Sequence, residues 1–172
     1  MFALACLRQQ HPPSCLVRFP SISYSIWESE YILGIIREPL KGKESVCPIG
    51  SGISGPELDL PIWIASPEIT VKNLVHTRLI PAERFDSHTR VIHLPGITIT
   101  VRDELQALEK IGGKKALELV KFKDDPVNRR IVSSWPSQFD NSHALKLGYY
   151  VDEGGIEGIV TEFKRKLEVG LV

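Results

Sequence analysis

The segment Gly50–Gly55 has the spacing G-x-G-x-x-G, the pattern of a loop that holds the pyrophosphate of a dinucleotide. Such a loop must leave a buried strand and open a helix, because the free N–H groups of that helix bind the phosphates. Here Cys47-Pro48 precede the glycines and Pro56 and Pro61 follow closely, which leaves no room for the helix. No strand ending in an acidic residue follows at the distance that a ribose contact needs. The sequence therefore predicts a flexible surface loop here.

A second stretch, residues 124–136, combines two arginines with a tryptophan. Arg130 offers a planar donor fork that suits a carboxylate or a phosphate. Trp135 offers a flat wall against which a small polar ligand can pack. The alternative is structural: an arginine–aspartate pair on a helix with a buried tryptophan. Residue types alone leave both interpretations open.

The remaining reactive side chains form no catalytic or metal-binding pattern. The five histidines include no H-E-x-x-H, and no carboxylate is spaced for a metal triad. No G-x-S-x-G elbow is present. His76 falls beside the apolar face of a predicted helix, which favours a structural role. The carboxylate pairs Asp124-Asp125 and Asp152-Glu153 fall in predicted turns, where we expect them to be solvated. The sequence thus predicts no catalytic and no metal-ligating residue.

Helices alternate with short strands along the chain. A helix is predicted over Ser29–Leu40, and another begins after Ser66 as cap and Pro67 as first helical residue. A third helix begins at Thr100, with Asp103 completing an approximate capping box. Short strands are predicted at residues 16–19, 62–64, 90–94 and 120–123. A short helix capped by Asp140 and an amphipathic helix from Ile156 to Leu167 complete the pattern.

This alternation predicts an α/β architecture, α+β-like as a fragment, with helices packed on a small sheet. Residues 1–27 are irregular, and residues 28–172 are predicted to form one domain. Within that domain, Val71, Leu74, Val75 and Leu79 have helical spacing in the helix that begins at Pro67.

The amino-acid composition is that of an ordinary globular protein. Of 172 residues, 42% are hydrophobic and 24% are charged, and the 21 basic residues equal the 21 acidic ones. A balanced charge gives no field that favours nucleic acid or an anionic membrane. No apolar stretch approaches the roughly 20 residues of a membrane span. Three widely spaced cysteines without C-x-x-C indicate a reducing compartment. We therefore expect a soluble, cytoplasmic protein.

Six short pieces, in order, resemble the extended short-chain dehydrogenases, and among these the D-erythronate dehydrogenase-like members of the NAD-dependent epimerase/dehydratase family. The resemblance covers roughly residues 30–170 and corresponds to the carboxy-terminal portion of that family. The pieces are Ile35-Ile36-Arg37-Glu38-Pro39-Leu40, Val46-Cys47-Pro48, Trp63-x-Ala65-Ser66-Pro67 with His76, Leu94-Pro95-Gly96, Arg130-Ile131-Val132-x-Ser134-Trp135-Pro136-x-x-Phe139-Asp140, and Ala144-Leu145-x-Leu147-Gly148-Tyr149.

The resemblance implies an enzyme in two parts. The amino-terminal Rossmann half of such enzymes binds NAD and carries a Tyr-x-x-x-Lys pair that takes the hydroxyl proton. The carboxy-terminal, substrate-side lobe builds the pocket, here for a small sugar acid. By this resemblance, the arginines would hold a carboxylate and the tryptophans would form walls of the pocket; the expected substrate-binding residues are Arg37, Trp63, Ser66, Arg130 and Trp135.

Departures from the family are large. No glycine-rich fingerprint lies near the amino terminus, no tyrosine is followed four residues later by lysine, and Ser21–Trp27 replaces the family's Arg-Pro-Gly segment. The chain alone is therefore expected neither to bind NAD nor to turn over a substrate. A different hypothesis is a non-catalytic binding or regulatory module that associates with a full-length relative. A third hypothesis is that the chain is not a functional product, because the choice of reading frame or exon removed the catalytic half.

Overall fold

The computed structural model describes residues 4–7, 15–18, 30–85 and 91–172, with the backbone alone for 4–7, 15–18 and 30–33. Within the segment 1–27, expected to be irregular, residues 4–7 and 15–18 form strands. The predicted loop at residues 9–14 and the segment Ser21–Trp27 lie outside the described residues, as do Phe19 and Pro20.

Seven strands and seven α-helices follow one another in the described part of the chain. The strands are β1 (Leu4–Leu7), β2 (Cys15–Arg18), β3 (Ser45–Cys47), β4 (Pro61–Ile64), β5 (Val91–His93), β6 (Ile97–Thr100) and β7 (Val120–Phe122). The helices are α1 (Glu30–Leu40), α2 (Pro67–Thr77), α3 (Val101–Gly112), α4 (Lys114–Glu118), α5 (Pro126–Ser133), α6 (Ser142–Lys146) and α7 (Gly155–Glu168). Short 3₁₀ helices lie at Pro56–Asp59 and Ala82–Arg84, and β4 and β6 form a two-stranded sheet.

The chain forms two compact units. Of the described residues, unit 1 contains 4–7, 15–18, 63–85, 91–97 and 138–152. Unit 2 contains 30–62, 98–137 and 153–172. The alternation of helices and short strands that the sequence predicts is present in both.

Unit 1 contains a three-stranded sheet in the order β1-β2-β5. Strands β1 and β2 are antiparallel, whereas β2 and β5 are parallel, with Val17 opposite Ile92. Parallel neighbours require a crossover connection, and α2 lies in the one that joins these two strands. The buried apolar core of this unit comprises Ile80, Ile92, Leu94, Ala144, Leu147 and Tyr149.

Unit 2 is built on the parallel pair β3 and β7, in which Val46 lies opposite Lys121. Its helices pack in two buried clusters. The larger joins Ile35 of α1 to Leu105 and Leu108 of α3 and to Cys47 of β3. The smaller joins Ile36 of α1, Ala107 of α3 and Val160 of α7. Leu105 and Leu108, three positions apart, thus lie on the buried face of α3.

Local capping signals begin these helices where the sequence predicts. Ser66 Oγ accepts the N–H of Ile69 at 3.2 Å, and Pro67 is the first residue of α2. At α3, the Asp103 N–H donates to Thr100 Oγ1 at 3.1 Å, and the Thr100 N–H donates to Asp103 Oδ2 at 2.7 Å. Each bond satisfies a backbone donor that a helix start leaves free.

Two local predictions need correction. Strand β6 was not predicted, although Ile97-Thr98-Ile99-Thr100 alternates β-branched apolar and polar residues in the way of a strand. The helix expected to be capped by Asp140 has Asn141 at its N-cap position and begins at Ser142. The Asp140 carboxylate instead accepts the N–H and Oγ–H of Ser142, each at 2.8 Å.

The apolar residues with helical spacing on α2 do not all face the core of unit 1. Val71 and Val75 are 60% and 61% exposed, and Leu79, just beyond the helix, is 70% exposed. Only Leu74 of this set packs against the core of unit 1. The buried positions are instead polar: Thr70, Asn73 and Thr77. Helical spacing identified a stripe of apolar residues, but spacing does not say which side of a helix the rest of the protein covers.

Among the residues that the structure describes, no helix is both long and apolar enough to cross a membrane.

Candidate functional site

The Gly50–Gly55 loop lies in unit 2 and its backbone donors are already used. The Gly50 N–H donates to Asp124 Oδ1 at 2.9 Å, and the Gly55 N–H donates to the Gly52 carbonyl at 3.1 Å. The helical turn that follows is a 3₁₀ helix of four residues that begins with Pro56, so it offers no row of free N–H groups. A Cβ on Gly55 would lie 2.5 Å from Glu57 Oε2, which places a negative charge against the loop. These residues do not fit a dinucleotide.

Arg102 anchors the same loop from α3. Its guanidinium donates to the carbonyls of Ile53 at 3.1 Å and Gly55 at 2.9 Å, and its Nε donates to Asp59 Oδ1 at 2.6 Å. The hydrogen bond from Arg102 lowers the pKa of the Asp59 carboxyl. The loop predicted to be flexible is thus tied to α3 and, through Gly50, to Asp124.

Asp124 and Asp125 have structural partners, which corrects the expectation that they are solvated turn residues. Asp124 Oδ1 accepts from Arg129 at 3.1 Å as well as from Gly50. Asp125 Oδ1 caps α5 by accepting the N–H of Val127 at 2.9 Å. In unit 1, Asp152 Oδ2 accepts the Ser66 N–H at 2.8 Å. Of the four paired carboxylates, Glu153 alone is an exposed residue.

The two adjacent arginines of α5 have different surroundings. Arg129 is partly buried and contacts Asp124, with Glu57 Oε1 at 3.9 Å. Arg130 is exposed, and its guanidinium has no hydrogen-bond or ion-pair partner among the described residues. Arg129 therefore fits the structural interpretation of this stretch, an arginine–aspartate pair on a helix. Arg130 remains available to an external anion.

The other two expected residues of unit 2 lie near the ends of helices. Trp135 is partly buried and follows α5, where its N–H donates to the Val132 carbonyl at 3.0 Å. Arg37 lies in the last turn of α1, and its Nε donates to Glu38 Oε1 at 3.1 Å. The exposed fractions of these two side chains are 43% and 27%. Ion pairs this exposed are worth little, so Arg37 can exchange Glu38 for another anion at small cost.

Trp63 and Ser66 belong to unit 1, at the end of β4 and the start of α2. Trp63 is 4% exposed and packs edge-on against Phe139, with ring centroids 5.6 Å apart. A Cβ on Gly96 would lie 2.8 Å from Trp63 Nε1, so this close approach needs a glycine. Ser66 is buried, and its hydroxyl is used as the cap of α2.

Sequence reasoning missed the polar contacts that attach α2 to residues 147–150 in unit 1. Asn73 exchanges two hydrogen bonds with the backbone of Tyr150. Thr77 Oγ1 donates to the Asn73 carbonyl at 2.8 Å and lies 2.9 Å from the Tyr149 hydroxyl. No spacing rule links positions more than 70 residues apart, so a single sequence offers no signal for these pairs.

His76 has the structural role that the sequence predicts. Its Nε2 lies 3.0 Å from the Leu147 carbonyl, and its ring packs edge-on against Tyr149 and Tyr150. Within the described ranges, no group of three or more His, Cys, Asp or Glu side chains could hold a metal ion.

Two ionisable groups are buried in unit 2. Glu104 of α3 is fully buried, its Oε2 has no hydrogen-bond partner, and burial raises the pKa of its carboxyl well above 4.5. Cys47 is a free thiol whose Sγ donates to the Ile49 carbonyl at 3.3 Å. Burial raises the pKa of this thiol to about 11. Burial therefore favours the uncharged form of both groups.

A surface cavity of about 450 Å³ lies in unit 2. Leu40, Leu119 and Leu167 form part of its apolar lining, with Lys115 and Lys164 among its charged residues. Arg37, Arg130 and Trp135 do not line it.

Comparison with curated proteins finds two relatives of the same name. The chain is 37% identical over 136 residues to D-erythronate dehydrogenase from Haemophilus influenzae, which covers 78% of this chain and 40% of that protein. It is 32% identical over 142 residues to D-erythronate dehydrogenase from Cupriavidus necator, covering 80% of this chain and 41% of the relative. The chain therefore spans about two-fifths of the length of these relatives. No protein-family model matches the chain.

Solved structures share the fold. The nucleoside-diphosphate-sugar epimerase from Agrobacterium tumefaciens superposes with a TM-score of 0.78 at 27% identity, covering 91% of this chain and 44% of that one. L-threonine dehydrogenase from Clostridium difficile has a TM-score of 0.70 at 20% identity, with coverages of 91% and 47%. These comparisons confirm both the predicted α/β fold class and the family resemblance that the six sequence pieces indicate.

Proposed function

We propose that this chain, a homologue of the D-erythronate dehydrogenases in the NAD-dependent epimerase/dehydratase family, carries the substrate-binding, carboxy-terminal portion of such an enzyme. Residues 28–172 would form this portion, and its ligand would be a small sugar acid. We further propose that the chain does not oxidise this ligand alone, because it has no Tyr-x-x-x-Lys pair and its one G-x-G-x-x-G segment does not fit a dinucleotide. Its cysteine pattern favours a cytoplasmic location.

The observation that carries the proposal is the contrast between Arg129 and Arg130. Arg129 is committed to Asp124, whereas Arg130 is exposed without an ion-pair partner in the described residues. A guanidinium left without a partner on a protein surface can bind a carboxylate through two parallel hydrogen bonds. A sugar acid supplies that carboxylate.

The roles of the chain's own residues are limited to binding. Arg130 would hold the carboxylate, with Arg37 as a second cation after it leaves Glu38. Trp135, partly buried beside α5, would offer an apolar wall to the carbon chain of the sugar acid. Trp63 and Ser66 belong to unit 1, where Trp63 packs against Phe139 and Ser66 caps α2, and they remain predictions as substrate-binding residues. NAD, bound elsewhere, would accept the hydride.

Titration calorimetry of the purified chain tests this proposal. D-Erythronate is expected to bind, and erythritol, which has the same carbon chain without a carboxylate, is expected to bind at least about tenfold more weakly because it forms no charge-assisted hydrogen bonds. NAD and NADH are expected to give no heat of binding. A thermal scan of the same sample must show a cooperative transition. Equal affinity for the acid and the polyol would contradict the carboxylate assignment, and micromolar binding of NAD would contradict the assignment of the glycine loop.

A second candidate is a non-catalytic module that associates with a full-length relative. It is favoured by the apolar residues that α2 exposes. Under this function, tagged chain co-expressed with the complete Haemophilus influenzae enzyme would retain that enzyme on an affinity column. A monomeric chain that retains none of it would exclude this candidate.

A further inference from the structure

The surface cavity of about 450 Å³ in unit 2 lies where helices α1, α3 and α7 end. Leu40 and Gly112 are the last residues of α1 and α3, and Leu167 lies in the last turn of α7. Helix α4 contributes Lys115 and Ala116 to the lining. Pockets that hold small organic molecules have volumes of roughly 300–1,000 Å³. The cavity therefore has room for one such molecule.

The apolar part of the cavity wall is aliphatic. Within the described part of the chain no aromatic residue lines it, and the apolar side chains in the lining are those of Pro39, Leu40, Ala116, Leu119 and Leu167. The three leucines are only partly buried, so each keeps apolar surface that a ligand can cover. A Cβ on Gly112 would lie 2.9 Å from Leu40 Cδ2, so a residue without a side chain lets α1 and α3 approach here. A wall of this kind suits a hydrocarbon chain.

Two ammonium groups in the lining have no acidic partner. Lys115 is exposed, and its Nζ has no hydrogen-bond or ion-pair partner among the described residues. Lys164 is partly buried, and one of its three N–H donors is used by the neutral Ile111 carbonyl at 2.9 Å. Glu168 is the acidic residue of the lining, and in the described ranges it forms no ion pair with either lysine. The lining thus carries one positive charge in excess.

The helix ends around the cavity do not offer a site for a cation. The partial negative charge of a helix end resides on its unpaired carbonyls, and here backbone donors pair with them. The Gly42 N–H donates to the Pro39 carbonyl at 3.0 Å after α1, and the Gly170 N–H donates to the Leu167 carbonyl at 3.1 Å after α7. Both glycines have positive φ, 75° and 70°, as this type of helix end requires. The two ammonium groups therefore remain available to an external anion.

We propose that this cavity binds an aliphatic monocarboxylate. The ammonium groups of Lys115 and Lys164 bind its carboxylate, and the three leucines cover its hydrocarbon chain. The single negative charge of the ligand matches the single positive charge in excess in the lining. The site is independent of the sugar-acid site proposed above, since Arg37, Arg130 and Trp135 do not line this cavity.

Calorimetric titration of the purified chain with octanoate tests the site. Saturable binding of one octanoate per chain at millimolar concentrations is expected, with a rise in the thermal transition temperature, because a ligand of the folded chain stabilises it. Hexanoate is expected to bind about tenfold more weakly, since two fewer methylene groups are buried. Octylammonium, which has the same chain with the opposite charge, is expected to bind more weakly than octanoate. Absence of saturable octanoate binding, or equal or tighter binding of octylammonium, overturns the proposal.

Two adjacent lysines provide a variant and its matched control, Lys115→Gln and Lys114→Gln. Both lysines are exposed on α4, and only Lys115 lines the cavity. Lys115→Gln is expected to weaken octanoate binding by about threefold to fivefold, the size of an exposed ion pair, and Lys114→Gln is expected to leave it unchanged. Thermal scans of the free variants should match the wild-type scan, and D-erythronate binding should be unaffected by either replacement. Equal octanoate affinity in the two variants overturns the assignment to this cavity.

Discussion

The side-chain amide of Asn73 pairs with the backbone of Tyr150 as one strand pairs with another. Its Nδ2 donates to the Tyr150 carbonyl at 2.8 Å, and its Oδ1 accepts the Tyr150 N–H at 2.8 Å. Asn73 is fully buried on α2. One side chain therefore satisfies both backbone groups of a residue 77 positions away.

Replacement of Asn73 by alanine is expected to lower the free energy of unfolding by about 2–4 kcal/mol. Two hydrogen bonds are lost and their backbone partners are left without a replacement in the protein. Urea denaturation measures the change. Val71→Ala, an exposed substitution on the same helix, is the control and should change stability by less than about 0.5 kcal/mol. A similar small effect of Asn73→Ala would show that water replaces the side chain at no cost.

Glu104 is expected to make the protein less stable as the pH rises. Burial raises the pKa of its carboxyl in the folded state well above 4.5, so the folded protein holds this proton more tightly than the unfolded chain. The stability that this proton contributes is complete below pH 4.5 and is lost as the pH rises through the folded-state pKa. Unfolding free energies across this range measure the slope.

The replacements Glu104→Gln and Glu104→Met separate charge from polarity. Both should remove the pH-dependent loss that this residue causes, because neither side chain ionises. Methionine should also stabilise the protein by about 1–3 kcal/mol relative to glutamine, since it leaves no buried polar group without a partner. An unchanged pH profile in both variants would mean that another group causes the slope.

The Cys47 thiol is expected to resist alkylation in the folded protein at neutral pH. Burial raises its pKa to about 11, so the reactive thiolate is scarce, and the side chain is inaccessible. Mass spectrometry after iodoacetamide treatment, with and without urea, reports labelling at this position separately from the other cysteines. Labelling should rise strongly on unfolding, and equal labelling in both states would argue against the buried thiol.

Arg129 and Arg130 are expected to give opposite results when each is changed to alanine. Arg130→Ala should weaken D-erythronate binding by about tenfold or more, because a charge-assisted pair is lost, and should leave the thermal transition unchanged. Arg129→Ala should lower the transition temperature, because Asp124 loses its ion-pair partner and keeps only the Gly50 N–H, and should affect binding less. Calorimetry and a thermal scan measure the two properties. The reverse pattern would assign the ligand to Arg129.

Ser66 is expected to act through the start of α2. Ser66→Ala should lower the unfolding free energy by about 1 kcal/mol, and Ser66→Thr, which keeps the capping oxygen, should lower it less. If both variants bind D-erythronate as the wild-type chain does, the residue has no direct contact with the ligand. A loss of affinity in Ser66→Ala at unchanged stability would instead support such a contact.

Helix starts could be predicted from the sequence because their hydrogen bonds join residues three apart. The Ser66–Ile69 contact and the Thr100–Asp103 box are both of this kind. The residues that form a helix cap therefore lie within one helical turn of each other in the sequence. Strand β6 could also have been predicted from its alternating isoleucine and threonine residues. It was missed because Thr100, its last residue, is also the cap of α3.

The candidate site was only partly accessible from the sequence. The sequence indicates residues 124–136 as a possible binding stretch, and within it the structure gives Arg129 an ion-pair partner and leaves Arg130 exposed. Which arginine meets Asp124 depends on how α5 is oriented relative to the loop that Gly50 begins, and neighbouring residues on a helix point in directions about 100° apart. Residue types and their spacing do not determine the orientation of α5.

By itself the sequence determined the α/β alternation, the caps of α2 and α3 and the kinship with a dehydrogenase family, because these depend on local hydrogen bonds and on residue order. Only the tertiary structure decided which face of α2 is buried, since Asn73 and Thr77 find their partners at Tyr150 and Tyr149, more than 70 residues away. Buried polar groups must be paired, and this requirement outweighed the tendency of Val71 and Val75 to leave water.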